Sequence, residues 1–316
     1  MNKEYKVYTI IVTYNGMKWI EECLISIQNS SIPVLILVVD NYSTDGTREF
    51  IKTNFRDVIL IESNQNLGFG KANNIGLSYA LKKEADFVFL LNQDALVNEN
   101  TIQNLINIAN KNPEFGIVSP IQLDYSGQVI EKYFFNFMAR DETRKFYSDF
   151  VLQKKQLEIY PIQFIQAAAW LLPINTIKKI GGFDPLFYHY GEDDNYCQRV
   201  VFHKLKIGVA VTAFIRHDST QVSEQTIQLF SERYYKKYII DLAVKCANIN
   251  MSYTSKSVLN ERKKLYKLLF YSLIKLNIFK VKGFLKTLFL LNKNCVLIRN
   301  SREINMQLKP NHLDLD

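Results

Sequence analysis

Asp86-Phe87-Val88-Phe89-Leu90-Leu91-Asn92-Gln93-Asp94-Ala95 decides the fold, an apolar run that stops at two amides and a carboxylate. An unbroken Phe/Val/Leu run suits a parallel strand covered on both faces, and ligands of open α/β sheets bind beyond the carboxyl ends of such strands. Asp94 is therefore expected at a ligand crevice. A single carboxylate with amide neighbours suits a hard cation, Mg2+ or Mn2+, that completes its shell with water and substrate phosphates. Read alone, the segment is also a polar turn after a core strand, and the surrounding chain has to separate the two.

Working outward, β-branched runs at 7–12, 34–39 and 58–61 join the run at 87–91, and segments of helical periodicity at 17–28, 44–54 and 70–82 lie between them. Strand and helix alternating at this spacing predict a right-handed, mostly parallel βαβ sheet, a Rossmann-like nucleotide-binding domain of the α/β class. Each strand ends in polar residues: Thr13-Tyr14-Asn15-Gly16, Asp40-Asn41-Tyr42-Ser43, Glu62-Ser63-Asn64-Gln65-Asn66-Leu67-Gly68 and Asn92-Gln93-Asp94. That convergence exceeds what turns require. Asp40 reads either as an acceptor for a nucleobase or ribose, as an acid after an early strand can be, or as an Asx-turn or helix cap. Asn66-Leu67-Gly68-Phe69-Gly70-Lys71 supplies flexible backbone and then a cation at a helix start, which suits an anionic ligand. It is not a P-loop, because the Gly-Lys-Ser/Thr ending is missing.

Taken together, Ile11-Val12-Thr13-Tyr14-Asn15, Val38-Val39-Asp40-Asn41-Tyr42-Ser43-Thr44-Asp45-Gly46-Thr47, Asn66-Leu67-Gly68-Phe69-Gly70-Lys71-Ala72-Asn73-Asn74 and Leu91-Asn92-Gln93-Asp94 resemble glycosyltransferase family 2, and within it the rhamnosyltransferase-type members. The resemblance covers about residues 5–220. It implies a GT-A type α/β fold and sugar transfer from a nucleotide diphosphate donor with a divalent metal. It also implies donor contacts at Thr13, Tyr14, Asn15, Asp40, Asn66, Gly68, Lys71, Asn92 and Gln93, and a metal at Asp94. One departure stands at the metal corner: many relatives carry an acidic pair flanking one residue, where this chain has Asn92-Gln93-Asp94. Weak metal affinity without the donor is the expectation.

Past a predicted helix at 98–110 and a short strand at 116–119, residues 121–160 turn aromatic and irregular, the region that shapes the acceptor side in the family. Ile165-Gln166-Ala167-Ala168-Ala169-Trp170 is a small-residue segment that lets backbone approach a ligand. Then come Gly181-Gly182-Phe183-Asp184 and Gly191-Glu192-Asp193-Asp194-Asn195. Three consecutive carboxylates repel one another, so at least one is expected with a raised pKa, as a general base needs. They are also favourable decoration for the start of the helix that follows. The resemblance matches Glu192 and Asp193 to the family's Glu-Asp pair, Asp193 as base and Glu192 orienting acceptor or loop, with Asn195 departing where relatives have a second Asp. His217 stands where the family often places a histidine near metal and diphosphate, or serves structurally.

The charge is uneven. Of 39 Lys+Arg and 31 Asp+Glu, 17 and 7 fall from Glu224 onward, so this third carries +10 and the preceding residues −2. A nucleic-acid partner for the main domain is thereby disfavoured. Four scattered cysteines and a polar N-terminus predict free thiols, a cytoplasmic location and no membrane span. The division expected is a catalytic domain at 1–223, with donor half to about 120 and acceptor half after it, then a basic, mainly helical region at 224–316. Between 258 and 293, Lys264, Lys275, Lys282, Lys286 and Lys293 form one helical stripe, which reads as a peripheral contact with the anionic inner face of a membrane or as a bundle packed on the domain. The function expected is inverting, metal-dependent hexosyl or rhamnosyl transfer from a dTDP- or UDP-sugar to a glycan or lipid-linked acceptor, in cell-surface polysaccharide synthesis. The alternatives are a non-catalytic nucleotide- or glycan-binding module and a sugar nucleotidyltransferase. The latter would need a basic, Gly-rich loop where Thr13-Tyr14-Asn15-Gly16 stands.

Overall fold

The apolar run lies at the centre of a nine-stranded sheet in the computed structural model, which describes residues 4–221, 226–251 and 255–315. The donor half runs β1 (Val7–Thr13), α1 (Ile20–Gln28), β2 (Leu35–Asp40), α2 (Thr47–Asn54), β3 (Ile59–Glu62), α3 (Phe69–Lys82) and β4 (Phe87–Asn92). Next come β5 (Ala95–Val97), α4 (Thr101–Lys111), β6 (Phe115–Asp124), α5 (Lys132–Met138), α6 (Arg144–Val151), β7 (Ile159–Ile162), β8 (Ala169–Pro173), α7 (Ile174–Ile180), α8 (Glu192–Phe202) and β9 (Lys206–His217). Three helices follow: α9 (Glu232–Cys246), α10 (Ser255–Ile274) and α11 (Ile278–Asn305).

The strand order is β3-β2-β1-β4-β8-β6-β9-β5, with β7 also on β9. β4 shows why its sequence does not alternate. Phe87, Phe89 and Leu91 enter the core beneath α1 and α4, while Val88 and Leu90 enter the core on the other face, with residues of α3, α7 and α8. Both faces are covered, so both must be apolar.

The mostly parallel sheet expected from the sequence is found, with antiparallel strands added beyond the donor half. β3, β2, β1 and β4 are parallel, as are β6 and β9, but β4–β8, β6–β8, β5–β9 and β7–β9 are antiparallel. For β5 the connection is short: only two residues, Gln93 and Asp94, separate it from β4, too few for a crossover helix, so the chain turns away and β5 pairs with the far strand β9. The short strand expected at 116–119 extends over Phe115–Asp124, and the aromatic stretch after it holds α5 and α6. The small-residue segment ends in β8, a core strand.

The helix expected from Glu224 begins at Glu232, and both its expected start and the 223/224 division fall outside the described residues. The region 258–293 is two helices rather than one stripe. Leu276 takes a left-handed φ of 48° and the Asn277 side chain caps α11 by accepting from the Lys280 N–H. Gly283 does not break α11; a side chain there would collide with the Phe230 ring. α11 buries Phe284, Thr287, Leu288, Leu291, Ile298 and Ser301 on one stripe, in a core shared with Leu242 of α9 and with Phe187 just before α8. A second anchor is polar. Asp184 accepts from Ser301 Oγ (2.5 Å) and Asn305 Nδ2 (2.6 Å), and Arg302 donates to the carbonyls of Cys246, Asn248 and Met251.

Leu291 is fully buried at this junction. Leu291→Ala is expected to cost about 2–5 kcal/mol, read as a lowered midpoint in urea unfolding. An unchanged midpoint would mean that α11 is not part of the cooperative core.

Candidate active site

The Gln93-Asp94 turn builds the candidate metal corner. Ala95 pairs with His217 across β5 and β9, and the Asp218 N–H donates to the Asp94 carbonyl, so the acid and the imidazole arrive from two strands at one place. His217 Nε2 lies 3.4 Å from Asp94 Oδ1 and 3.5 Å from Asn92 Nδ2. Asp94 Oδ1 and His217 Nδ1 are buried without a hydrogen-bond partner. Burial lowers the His217 pKa, but the carboxylates of Asp94, Glu131 and Asp218 outweigh it and the net shift is upward. No group of three His, Cys, Asp or Glu side chains able to hold a metal occurs among the described residues. The orphaned Asp94 oxygen and the neighbouring imidazole fit a hard cation with two protein ligands, the others coming from diphosphate and water.

Gln93 serves the backbone. Its Oε1 accepts from the Tyr14 N–H (3.0 Å) and its Nε2 donates to the Tyr14 carbonyl (3.2 Å), tying the turn after β4 to the end of β1. Gly16 makes room for it, since a Cβ there would stand 2.4 Å from Gln93 Oε1. Tyr14 and Asn15 are exposed beside this clamp, and Asn15 Oδ1 accepts from the Thr44 N–H.

Two of the donor-side expectations are corrected. Asp40 is fully buried: Oδ1 accepts from the Ser43 N–H and Oδ2 from Thr13 Oγ1, each at 2.9 Å, so it is the Asx-turn acid rather than an open acceptor for a nucleobase, and Thr13 is buried with it. Lys71 lies on the side of α3 facing a separate cavity with Asn74, Pro185 and His312, because Phe69 is the residue of that turn on the site. Asn66 and Gly68 stay at the carboxyl edge of the sheet. Asn66 Oδ1 accepts from Asn41 Nδ2 and the Gly68 N–H, and the Tyr188 hydroxyl closes on Asn66 from the loop before α8.

α8 begins at Gly191, whose φ of 87° is the left-handed conformation that glycine adopts without strain. Glu192, Asp193 and Asp194 fill its first turn. All three pKa values are raised, first by burial. Glu192 goes to about 8, with Asp193 adding to the shift, and Asp193 to about 7, with Asp194 adding. Asn195, the departure from the family pattern, is buried in the first turn. α8 is held from beneath: buried Arg199 donates to the Ile180 and Gly182 carbonyls, and Tyr196 packs on Phe183, which stacks on Trp170.

One cleft of about 950 Å3, a size suited to a small-molecule ligand, takes in Asn92, Asp94, His217, Glu192 and Asp193. Thr13, Tyr14, Asn15, Asp40, Asn66, Gly68 and Gln93 do not line it; they lie after or at the ends of β1, β2, β3 and β4. Several lining residues were not foreseen. Asp218 is held well below the usual carboxylate range by the Thr220 hydroxyl, then by Trp19 Nε1 and Lys18 Nζ. Arg140, Lys237 and Lys245 bring cations from α9 and the aromatic region. Asp218, next to His217, and Lys237, in the basic run Arg233-Tyr234-Tyr235-Lys236-Lys237, carried a signal in the sequence; Arg140 and Lys245 reach the cleft through tertiary packing alone. The arrangement can bind an anion, hold a divalent cation and accept a proton near neutral pH.

The raised pair sets a sign for pH dependence. An unfolded Asp or Glu ionises near 4, whereas Asp193 and Glu192 hold their protons to about 7 and 8. Their contribution to stability is present below about pH 4 and is lost as pH rises through the folded values. Asp193→Asn is expected to gain thermal stability over the wild type at pH 8 relative to pH 5. A difference that does not change with pH would show an unperturbed Asp193.

Residues 8–165, half of the chain, match Glycosyl transferase family 2. The chain is 26% identical over 176 residues to a low-salt glycan biosynthesis hexosyltransferase of Haloferax volcanii, covering 54% of this chain and 55% of that one. It is 24% identical over 207 residues to the N-acetylglucosaminyl-diphospho-decaprenol L-rhamnosyltransferase of Mycobacterium tuberculosis (58% and 66%) and 25% over 229 residues to an O-antigen chain rhamnosyltransferase of Salmonella anatum (71% and 70%). It thus spans little more than half the length of the first of these relatives and just under two thirds of the second. Among solved structures it is similar in fold to a Pyrobaculum calidifontis mannosyltransferase with GDP-Man and Mn2+ (TM-score 0.53, 19% identity, 79% of this chain and 64% of that one) and to residues 1–349 of S. aureus TarS (0.55, 16%, 95% and 88%). By sequence pattern and GT-A-like fold, this chain belongs to glycosyl transferase family 2.

Proposed function

We propose that the protein is an inverting glycosyltransferase that moves a sugar from a nucleotide diphosphate donor to a hydroxyl of a glycan or lipid-linked acceptor in cell-surface polysaccharide synthesis. The observation that carries the reading is Asp193: a half-buried carboxyl raised to about 7, in the same cleft as Asp94 and His217. A base whose pKa lies near the working pH is what proton removal from a hydroxyl needs. Asp193 takes the acceptor proton as the oxygen attacks the anomeric carbon from the face opposite the leaving diphosphate, which inverts that carbon. Glu192, protonated to about 8, is a hydrogen-bond donor at neutral pH and orients the acceptor. Tyr14, Asn15, Asn66, Gly68 and Asn92 hold the nucleotide end, with Gln93 fixing the Tyr14 backbone and Thr13 bracing the turn. Asp94 and His217 would hold Mg2+ or Mn2+, which when bound neutralises charge developing on the leaving diphosphate.

Two of the named relatives are rhamnosyltransferases, one of them named for an acceptor on diphospho-decaprenol. This supports rhamnose from a dTDP-sugar as the first donor to test, a hexose from a UDP-sugar as the second, and a lipid-linked acceptor. Arg140, Lys237 and Lys245 in the cleft suit an acceptor that brings phosphate. Against the non-catalytic module stands the pair of raised carboxyls, an arrangement that costs stability near neutral pH and suits proton transfer.

Titration with dTDP, UDP and GDP, with and without Mn2+ or Mg2+, tests the donor: metal-dependent binding of one of them is expected, and binding of none overturns the reading. Asp193→Asn is expected to keep that binding and lose transfer by about 100-fold or more. Near-normal turnover removes Asp193 from the role. Asp94→Asn is expected to abolish the metal-dependent part of nucleotide affinity, measured in the same titration.

A further inference from the structure

The turn between α10 and α11 is the most apolar exposed feature among the described residues. Every residue from 273 to 280 is exposed, and Ile274, Leu276, Ile278 and Phe279 show 62%, 86%, 69% and 62% of their surface to solvent. Exposed single hydrophobics are ordinary, but a contiguous protruding patch of this kind marks a contact surface. The inner stripe of α11 is already used, in the core shared with α9. The tip is what that packing leaves over.

Charge identifies the occupant. Residues 258–293 carry nine Lys+Arg against one acid, Glu261, for a local charge of +8. Lys275, Lys280 and Lys282 flank the apolar tip and are exposed. A second copy docked on the same patch would set +8 against +8, which disfavours self-association. No described helix is long and apolar enough to cross a membrane. An apolar wedge ringed by lysines, whose ammonium ends can reach outward while the stems lie along lipid, is suited to lie in an anionic interface instead.

We propose that the α10–α11 tip inserts into an anionic lipid surface and sets the cleft against it. α9 makes the connection. Phe230, just before α9, packs on Phe279 of the tip (ring centroids 5.6 Å) and on Phe284 (5.0 Å), and the Tyr235 hydroxyl donates to the Gly283 carbonyl. Within the next turns Lys237, Ile240, Asp241 and Val244 of the same helix line the cleft. At 1.5 Å per residue, tip contacts and cleft wall lie within about 15 Å along one helix. The inference extends the glycosyl-transfer reading by locating the lipid-linked acceptor, but the tip is a separate surface.

The test is co-sedimentation of the full chain with vesicles of phosphatidylcholine alone or mixed with phosphatidylglycerol. It needs neither donor nor acceptor, so its failure leaves the transfer reading standing, and a wild type that pellets yet binds no nucleotide fails the transfer reading alone. The wild type is expected to pellet with the anionic vesicles and not with the zwitterionic ones. Combined Ile274→Ser, Leu276→Ser and Phe279→Ser should lower partitioning at least tenfold at any salt concentration. Combined Lys275→Gln, Lys280→Gln and Lys282→Gln should lower it by about fivefold per lysine at low salt and less at high salt. All six side chains are exposed, and an unchanged circular dichroism spectrum verifies the fold. Wild type remaining in the supernatant, or either triple variant pelleting like wild type, overturns the proposal. So does gel filtration showing a wild-type dimer that the apolar triple variant converts to monomer, which would make a second copy the occupant.

Discussion

Helix α8 holds carboxylates where ionising them is unfavourable, and much of the fold is arranged to tolerate this. Glu192 and Asp193 face a partly dry cleft with a third acid beside them, and no cation is close enough to bring their pKa values back down. The start of a helix favours negative charge by a fraction of a kcal/mol up to about 2 kcal/mol, less than burial costs here. The compensation lies beneath the helix. Arg199 caps the Ile180 and Gly182 carbonyls, Trp170, Phe183 and Tyr196 pack as an aromatic wedge, and Asp184 is bound by Ser301 and Asn305. Rigid support keeps the acidic turn from relaxing into solvent, where its acids would revert to ordinary carboxylates.

The metal corner follows a different economy of charge. With Asn92 and Gln93 beside it, Asp94 is the one carboxylate of its turn, and the second donor comes from β9 rather than from the same loop. A corner with one acid would leave a cation held there under-neutralised. Gln93, the middle residue of the turn, clamps the end of β1 with two backbone hydrogen bonds.

What could be read from the sequence was whatever local periodicity or composition encodes. The β4 run, the strands and helices before it and the acidic start of α8 follow from short-range pattern, whereas His217 was marked by the family resemblance. The antiparallel half of the sheet does not, because β8 and β5 reach their neighbours through pairing between residues far apart in the chain. Asp40 illustrates a further limit. Its sequence context fits both an open nucleotide acid and a closed Asx-turn, and only the burial of Thr13 over it separates them. Lys71 failed for a geometric reason: two residues along a helix rotate a side chain by about 200°, so the cation after Phe69 faces the opposite cavity. Arg140 and Lys245 came from regions with no motif at all.

The bond from Ser301 to Asp184 spans 117 residues of chain. During synthesis at about 5–20 residues per second, that places on the order of ten seconds between emergence of the acidic helix and emergence of its anchor. Throughout that interval the sheet can form while the underside of α8 lacks its polar partner and the Phe187 surface lacks its covering helix. The nascent chain is thus a natural client for a chaperone that shields apolar surface, and the candidate site is among the last parts of the molecule to become rigid.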